Sequence, residues 1–312
     1  MNQYMPEGSL ITTEKNYEYI SSIDGLENAM RQDLILEAQA LLCDHNYNLH
    51  LDLPNGIKAI IPKSEAIHLP DGEDAKDIAI LTRVGKTVAF KVIGFERGDA
   101  GRVCAILSRK AAQRECIENY ISALCPGDII PARVTHLENF GAFVDIGCGV
   151  ISLLSIDSMS VSRISHPSAR VSVGDFIYTV IKSKDERGRV YVTGRELLGS
   201  WEENAALFRE GETVRGIIRS VESYGVFVEL KPNLAGLAEY RNDVYVGQTA
   251  AVYIKSIIPE KMKIKLIIID AEDAPIYIDP PEYFVDTSVY SHIDTWRYSP
   301  STSSKIIETI FT

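Results

Sequence analysis

The chain has 312 residues, 46% of them hydrophobic and 24% charged, with a formal net charge of -11. This composition argues against a disordered polymer and leaves room for two or three domains of roughly 100 to 200 residues. No stretch approaches the roughly 18 apolar residues of a membrane span, the first ten residues carry no signal-peptide pattern, and five cysteines without a Cys-x-x-Cys pair speak against a disulfide framework or zinc site. The expected setting is the cytoplasm, with no membrane partner, metal or cofactor.

In chain order, Asp24 and Glu27 signal a short N-terminal helix running through Met30. From Ile35, the segment ILEAQALLCDHNYNLHLDLPNGIKAIIPKSEA and the later runs VGKTVAFKVIGF (from Val84) and GRVCAILSRK (from Gly101) read as a degenerate set of short strands. KAAQRECIENYISAL, from Lys110, reads as a linker helix stopping at Pro126.

The strongest signal follows. PGDIIPARVTHLENFGAFVDI, from Pro126, aligns with EGETVRGIIRSVESYGVFVEL, from Glu210, and each copy continues through a Val-Gly turn (Val173-Gly174, Val246-Gly247) into two further strand-like runs. Five short strands in about 60 to 70 residues suit a small closed barrel, which leaves no exposed edges. Between the copies, Ser200 and Glu203 have capping-box spacing and Gly211 is placed to end a second linker helix. The fold expected is therefore mainly β: tandem five-stranded barrels at 31–110, 127–196 and 210–270, linkers at 111–126 and 197–209, an N-terminal segment at 1–30 and an acidic aromatic tail at 271–312. The tail is expected either to pack back on the third barrel or to bind a partner.

The charge excess bears on ligand class. Residues 127–196 and 210–270 each hold 8 basic and 8 acidic side chains, so the acid excess lies outside the two clear copies. A neutral module can bind single strands through aromatic stacking and a local basic edge. In the middle copy the aromatic positions are Phe140 and Phe143, in the third Tyr224 and Phe227, and in the first Tyr47 and His50. Side chains three apart on a regular strand face opposite ways, so each pair shares a surface only if the backbone bends at Gly141, Gly225 or Asn48. Two readings stand: a stacking platform, or Phe143 and Phe227 filling the barrel. Likewise Asp185 and Arg189, flanking the turn in SKDERGRVYV, form either a nucleic-acid contact or a cross-hairpin ion pair. Lys263 holds the basic position in the third copy.

No catalytic constellation is present: Gly147-x-Gly149 lacks the helix and spacing of a dinucleotide loop, and no carboxylates stand in a recognisable acid/base arrangement. With these residues in view, the chain resembles the ribosomal protein S-one family, bacterial proteins built of tandem S-one RNA-binding domains of the oligonucleotide-binding fold, and its layout looks like a shortened homologue. The resemblance covers roughly residues 30–270. It implies a non-enzymatic single-stranded-RNA-binding protein of translation or mRNA handling, with the small ribosomal subunit or another protein as partner. It further implies that Phe140, Phe143, Asp185 and Arg189, and Tyr224, Phe227 and Lys263, form the RNA faces. The family histidine falls on Ser155 and Glu239, which weakens both sites. The alternative is a ribosome- or protein-docking chain with weak RNA binding.

Overall fold

The structure is a computed structural model that describes residues 4–69, 76–97, 103–274 and 280–312. Strands β1 (Leu36–Cys43), β2 (Leu49–Asp52), β3 (Lys58–Ile61), β4 (Thr87–Arg97) and β5 (Val103–Ser108) close one barrel, in the order β1-β2-β3-β5-β4. A second barrel comprises β6 (Ile129–Glu138), β7 (Gly141–Asp145), β8 (Ile151–Ser155), β9 (Phe176–Lys184) and β10 (Val190–Thr193). The third comprises β11 (Thr213–Glu222), β12 (Gly225–Lys231), β13 (Leu234–Ala238), β14 (Thr249–Ile258) and β15 (Lys263–Glu272). In each, the third and fifth strands run parallel, and this pairing closes the ring. Gly101 and Arg102, expected to open the last strand of the first barrel, lie outside the described residues.

The chain divides into two compact units. The first contains Met1–Leu124, Pro131–Arg133 and Asp145–Ile151, the second Cys125–Ile130, Val134–Val144 and Ser152–Thr312. In the first unit, α1 (Glu14–Ile20) and α2 (Ile23–Arg31) are capped by the hydroxyls of Thr13 and Ser22, which accept the Asn16 and Gly25 N–H. The sequence signal at Asp24 belongs to the first turn of α2 rather than to its cap, and α1 lies ahead of the expected helix. Leu26 and Ala29 of α2 enter the barrel core beside Leu49, Ile61, Phe90 and Leu107. A short α3 (Asp77–Leu81) precedes β4, and α4 (Arg109–Asn119) follows β5, its Ala111 N–H capped by Ser108. That helix gives way at Tyr120 to one tight turn, Ile121–Ala123, short of the proline expected to stop it.

The N-terminal segment is tied into this unit by buried acids. Glu37 accepts the N–H groups of Gly8, Leu10 and Ile11, and Asp145 accepts those of Glu7, Gly147 and Gly149. Glu7 itself pairs with Arg109, 2.6 Å away and almost wholly buried. Burial pushes the Glu37 and Asp145 carboxyls up to about 7.

In the second unit, α5 (Trp201–Ala205) has both halves of the expected capping box: the Glu203 N–H donates to the Ser200 hydroxyl (3.2 Å) and the Ser200 N–H to the Glu203 carboxylate (2.7 Å). It ends after little more than one turn, well before Gly211, because Trp201, Ala205 and Phe208 are drawn into the core of the third barrel. The tail joins the same core. Trp296 and Tyr298 pack there, the Tyr298 hydroxyl donates to the Asn233 carbonyl (2.7 Å), and β16 (Thr295–Arg297) pairs with β17 (Glu308–Ile310). Upstream, tail residues border the middle barrel: the Ile129 N–H donates to the Ser291 carbonyl, and His292 Nδ1 lies 2.7 Å from the Asp128 carboxylate. The tail therefore packs on two barrels rather than on the third alone.

Candidate nucleic-acid interface

The aromatic positions follow from the hairpin that enters each second strand. Phe140 occupies the turn just before β7, and Phe143 lies on the strand. Their neighbours Ala142 and Val144 are fully buried, while Phe143 is half-buried and Phe140 is 54% exposed. Alternation thus sends Ala142 and Val144 into the barrel and leaves Phe143 outside, which rules out core filling as the use of Phe143. The two rings meet edge to face with centroids 6.0 Å apart. The third barrel repeats the arrangement: Val226 and Val228 point inward, Tyr224 is 68% exposed, and Tyr224 and Phe227 meet edge to face at 6.1 Å.

The glycine between the aromatics serves close approach. A Cβ on Gly141 would lie 2.5 Å from the Leu154 carbonyl oxygen, and one on Gly225 would lie 2.5 Å from that of Ala238. Any side chain there would push the third strand away from the second. With glycine, the turn folds tightly enough that the Ile156 N–H reaches the Phe140 carbonyl at 2.9 Å.

The first barrel uses its equivalents differently. It is Tyr47 that takes a left-handed conformation (φ 63°), whereas Asn48, expected to supply the bend, gives its N–H and side-chain amide to Asp44 and accepts the Lys63 N–H. Tyr47 packs against the core, and the Lys63 ammonium sits 4.5 Å from its ring centroid. His50 Nε2 lies 3.2 Å from Asp44, whose carboxyl is held far below its usual range, chiefly by the Asn48 N–H. Tyr47 and His50 are thus each committed to local partners and form no ring pair among the described residues.

The structure also places the charged positions. Asp185 accepts the N–H groups of Arg187 and Arg189 and pairs loosely with the Arg189 guanidinium at 3.5 Å, in the open. The acid shapes the hairpin, and the arginine projects from it. In the third barrel the ladder Ser220, Phe227, Leu237, Lys265 runs across the outer face, so Lys265 shares the row of Phe227, while Lys263 pairs with Ile258 two residues along. The matching row of the middle barrel holds Tyr191, paired with Leu153 and Ser183. At the family-histidine position, Ser155 donates to Ser158, and Lys182 Nζ donates to the same Ser158 hydroxyl at 3.1 Å. Glu239 is exposed.

Several contributors escaped the sequence reading, Lys265 and the exposed Arg187 among them. His136 lies nearly parallel to Phe143 with centroids 6.3 Å apart; its repeat equivalent is Ser220, so alignment of the copies passes over it. Tyr191 aligns with Lys265 and was hidden in the same way. Lys182 is marked only by the alternation of β9, which turns it outward.

Comparison with known proteins adds an independent line. Residues 125–193 match the model of the S1 RNA binding domain. Over 272 residues the chain is 29% identical to a small ribosomal subunit protein bS1 homolog of Bacillus cereus, covering 83% of this chain and 65% of that one. It is 33% identical over 243 residues to small ribosomal subunit protein bS1 of Pseudomonas aeruginosa, covering 71% and 41% respectively. This chain therefore spans about two thirds or less of the length of these relatives. A solved multidomain protein with nucleic acid binding domains from Streptococcus pneumoniae aligns over 78% of this chain and 76% of its own, at 14% identity and a TM-score of 0.25.

Proposed function

Because the chain belongs to the ribosomal protein S1 family, we propose that it binds single-stranded RNA on the outer face of its middle barrel and serves in translation or mRNA handling. The observation that carries this reading is the outward aromatic pair Phe140 and Phe143 above an inner face already filled by Ala142 and Val144. An exposed edge-to-face pair costs solvation that a globular chain has no folding reason to bear, and bases stacked on it return about 1 to 3 kcal/mol each. His136 and Tyr191 extend the aromatic surface; Lys182, Arg187 and Arg189 supply positive charge along its edge without dominating it. Tyr224, Phe227, Lys263 and Lys265 form a weaker second face, because exposed Glu239 repels phosphate.

The role is that of a binding protein, not an enzyme. The names of its relatives motivate a further proposal, that the small ribosomal subunit is a partner; cosedimentation with that subunit after nuclease treatment tests it, and loss of the chain from the subunit fraction counts against it. The test of RNA binding is a titration of fluorescent single-stranded RNA with the wild-type chain and a Phe140→Ala, Phe143→Ala variant at two salt concentrations. A loss of about 2 kcal/mol or more with little change in salt slope is expected. Equal binding by the variant would sink the reading.

A further inference from the structure

Away from the aromatic faces, the second unit encloses a cavity of about 560 Å³, within the range of small-ligand pockets. One wall is β11 and β12, another the segment Ala169–Val171, and the tail residues 280–284 form a third. Its polar centre is Glu229, gripped from two sides: Arg170 Nη1 and Nη2 reach its oxygens at 2.9 and 2.5 Å, and Arg219 Nη2 and Nε at 2.8 and 3.1 Å.

All three side chains are largely buried, at 8%, 13% and 5% exposure for Arg170, Arg219 and Glu229. One guanidinium suffices to satisfy a buried carboxylate, and the second leaves an uncompensated positive charge in a place where charge is expensive. The imbalance grows over the whole cavity. Lys231 is neutralised by Glu282 at 2.7 Å, but Arg215 also lines the space, and among the described residues no further acid does. Arg219 Nη1 carries no hydrogen bond among the described residues. The rings of Tyr178 and Tyr283, edge to face at 5.8 Å, line the same space, as does Phe284.

We propose that this cavity is a binding site for a mononucleotide, its phosphate seated against Arg219 and Arg215 and its base among Tyr178, Tyr283 and Phe284. Guanidinium forks match phosphate oxygens two at a time, and aromatic walls accept any base. The third wall comes from the tail, so the site belongs to this chain's own elaboration of the barrels and is independent of the RNA-binding reading.

The experiment is calorimetric titration of the full chain with AMP, GMP, UMP and CMP, with inorganic phosphate in parallel. Saturable binding of at least one mononucleotide is expected, weakened about tenfold in Arg219→Gln and in exposed Arg215→Gln, and unchanged in Phe140→Ala, Phe143→Ala. The Arg215 variant keeps the test informative if Arg219→Gln melts early, since Arg215 takes no part in the Glu229 clamp. Absence of mononucleotide binding, binding undiminished in Arg215→Gln, or inorganic phosphate binding as tightly as every nucleotide would each overturn the proposal. Loss of RNA binding in the phenylalanine variant with nucleotide binding retained separates this site from the aromatic face.

Discussion

The first and middle barrels share strand order and the position of an aromatic pair, yet they spend that pair in opposite ways. In the middle barrel, glycine lets two strands close up and leaves two rings exposed against each other. In the first, Asn48 bonds Asp44 and Lys63, Tyr47 folds back on the core under an ammonium, and His50 turns to Asp44. An outward aromatic pair in this fold thus goes with a turn that satisfies its own hydrogen bonds through the backbone, so that the aromatics are not recruited to do so. The contrast can be broken or sharpened by experiment.

The largest effect is expected from paired substitutions. Phe140→Ala with Phe143→Ala removes about 2 to 4 kcal/mol of RNA affinity, whereas Tyr47→Ala with His50→Ala changes RNA affinity little and lowers the melting temperature instead. Equal RNA losses in fluorescence titrations of the two variants would erase the distinction.

Next is pH, which should separate the units. Glu37 titrates near 7 in the fold and near 4.5 unfolded, so folding favours its neutral form. Its stabilising contribution is complete below pH 4.5 and is lost as pH rises through about 7, by about 3 kcal/mol. Thermal melts at pH 5 and pH 8 should show the first unit weakening, and Glu37→Gln should flatten that slope, the remainder belonging to Asp145. A slope unchanged in the variant assigns the loss elsewhere.

A smaller effect is expected in the third barrel, where Tyr224→Ala with Phe227→Ala costs about 1 kcal/mol of RNA affinity and Glu239→Gln restores part of it, read in the same titration. Smallest is Arg189→Ala, an exposed cation, worth under about 1 kcal/mol and visible as a reduced salt dependence.

The repeat made much of this readable. Alternation along GAFVD and GVFVE assigns inward valines, and the shared glycines mark the tight approach. What stayed hidden depends on partners distant in sequence. Glu7 reads as an ordinary solvated acid until Arg109 is brought beside it, 102 residues away, and Trp296 reads only as an anchor for the tail, with the third barrel that receives it unnamed. His136 and Tyr191 were missed because repeat alignment rewards sameness, and these side chains are where the copies differ. Nor could the clamp on Glu229 be inferred, since Arg170 lies in an irregular loop without periodicity.

The clasp of His292 on Asp128 joins residues 164 apart in the chain. During synthesis the middle barrel can close as soon as its own strands emerge, but the border at Gly127–Ile129 waits for a segment made about 160 residues later, some ten to thirty seconds at ordinary elongation rates. For that interval the nascent chain presents an uncovered flank beside a finished barrel. The tail thereby sets the moment at which the second unit becomes complete.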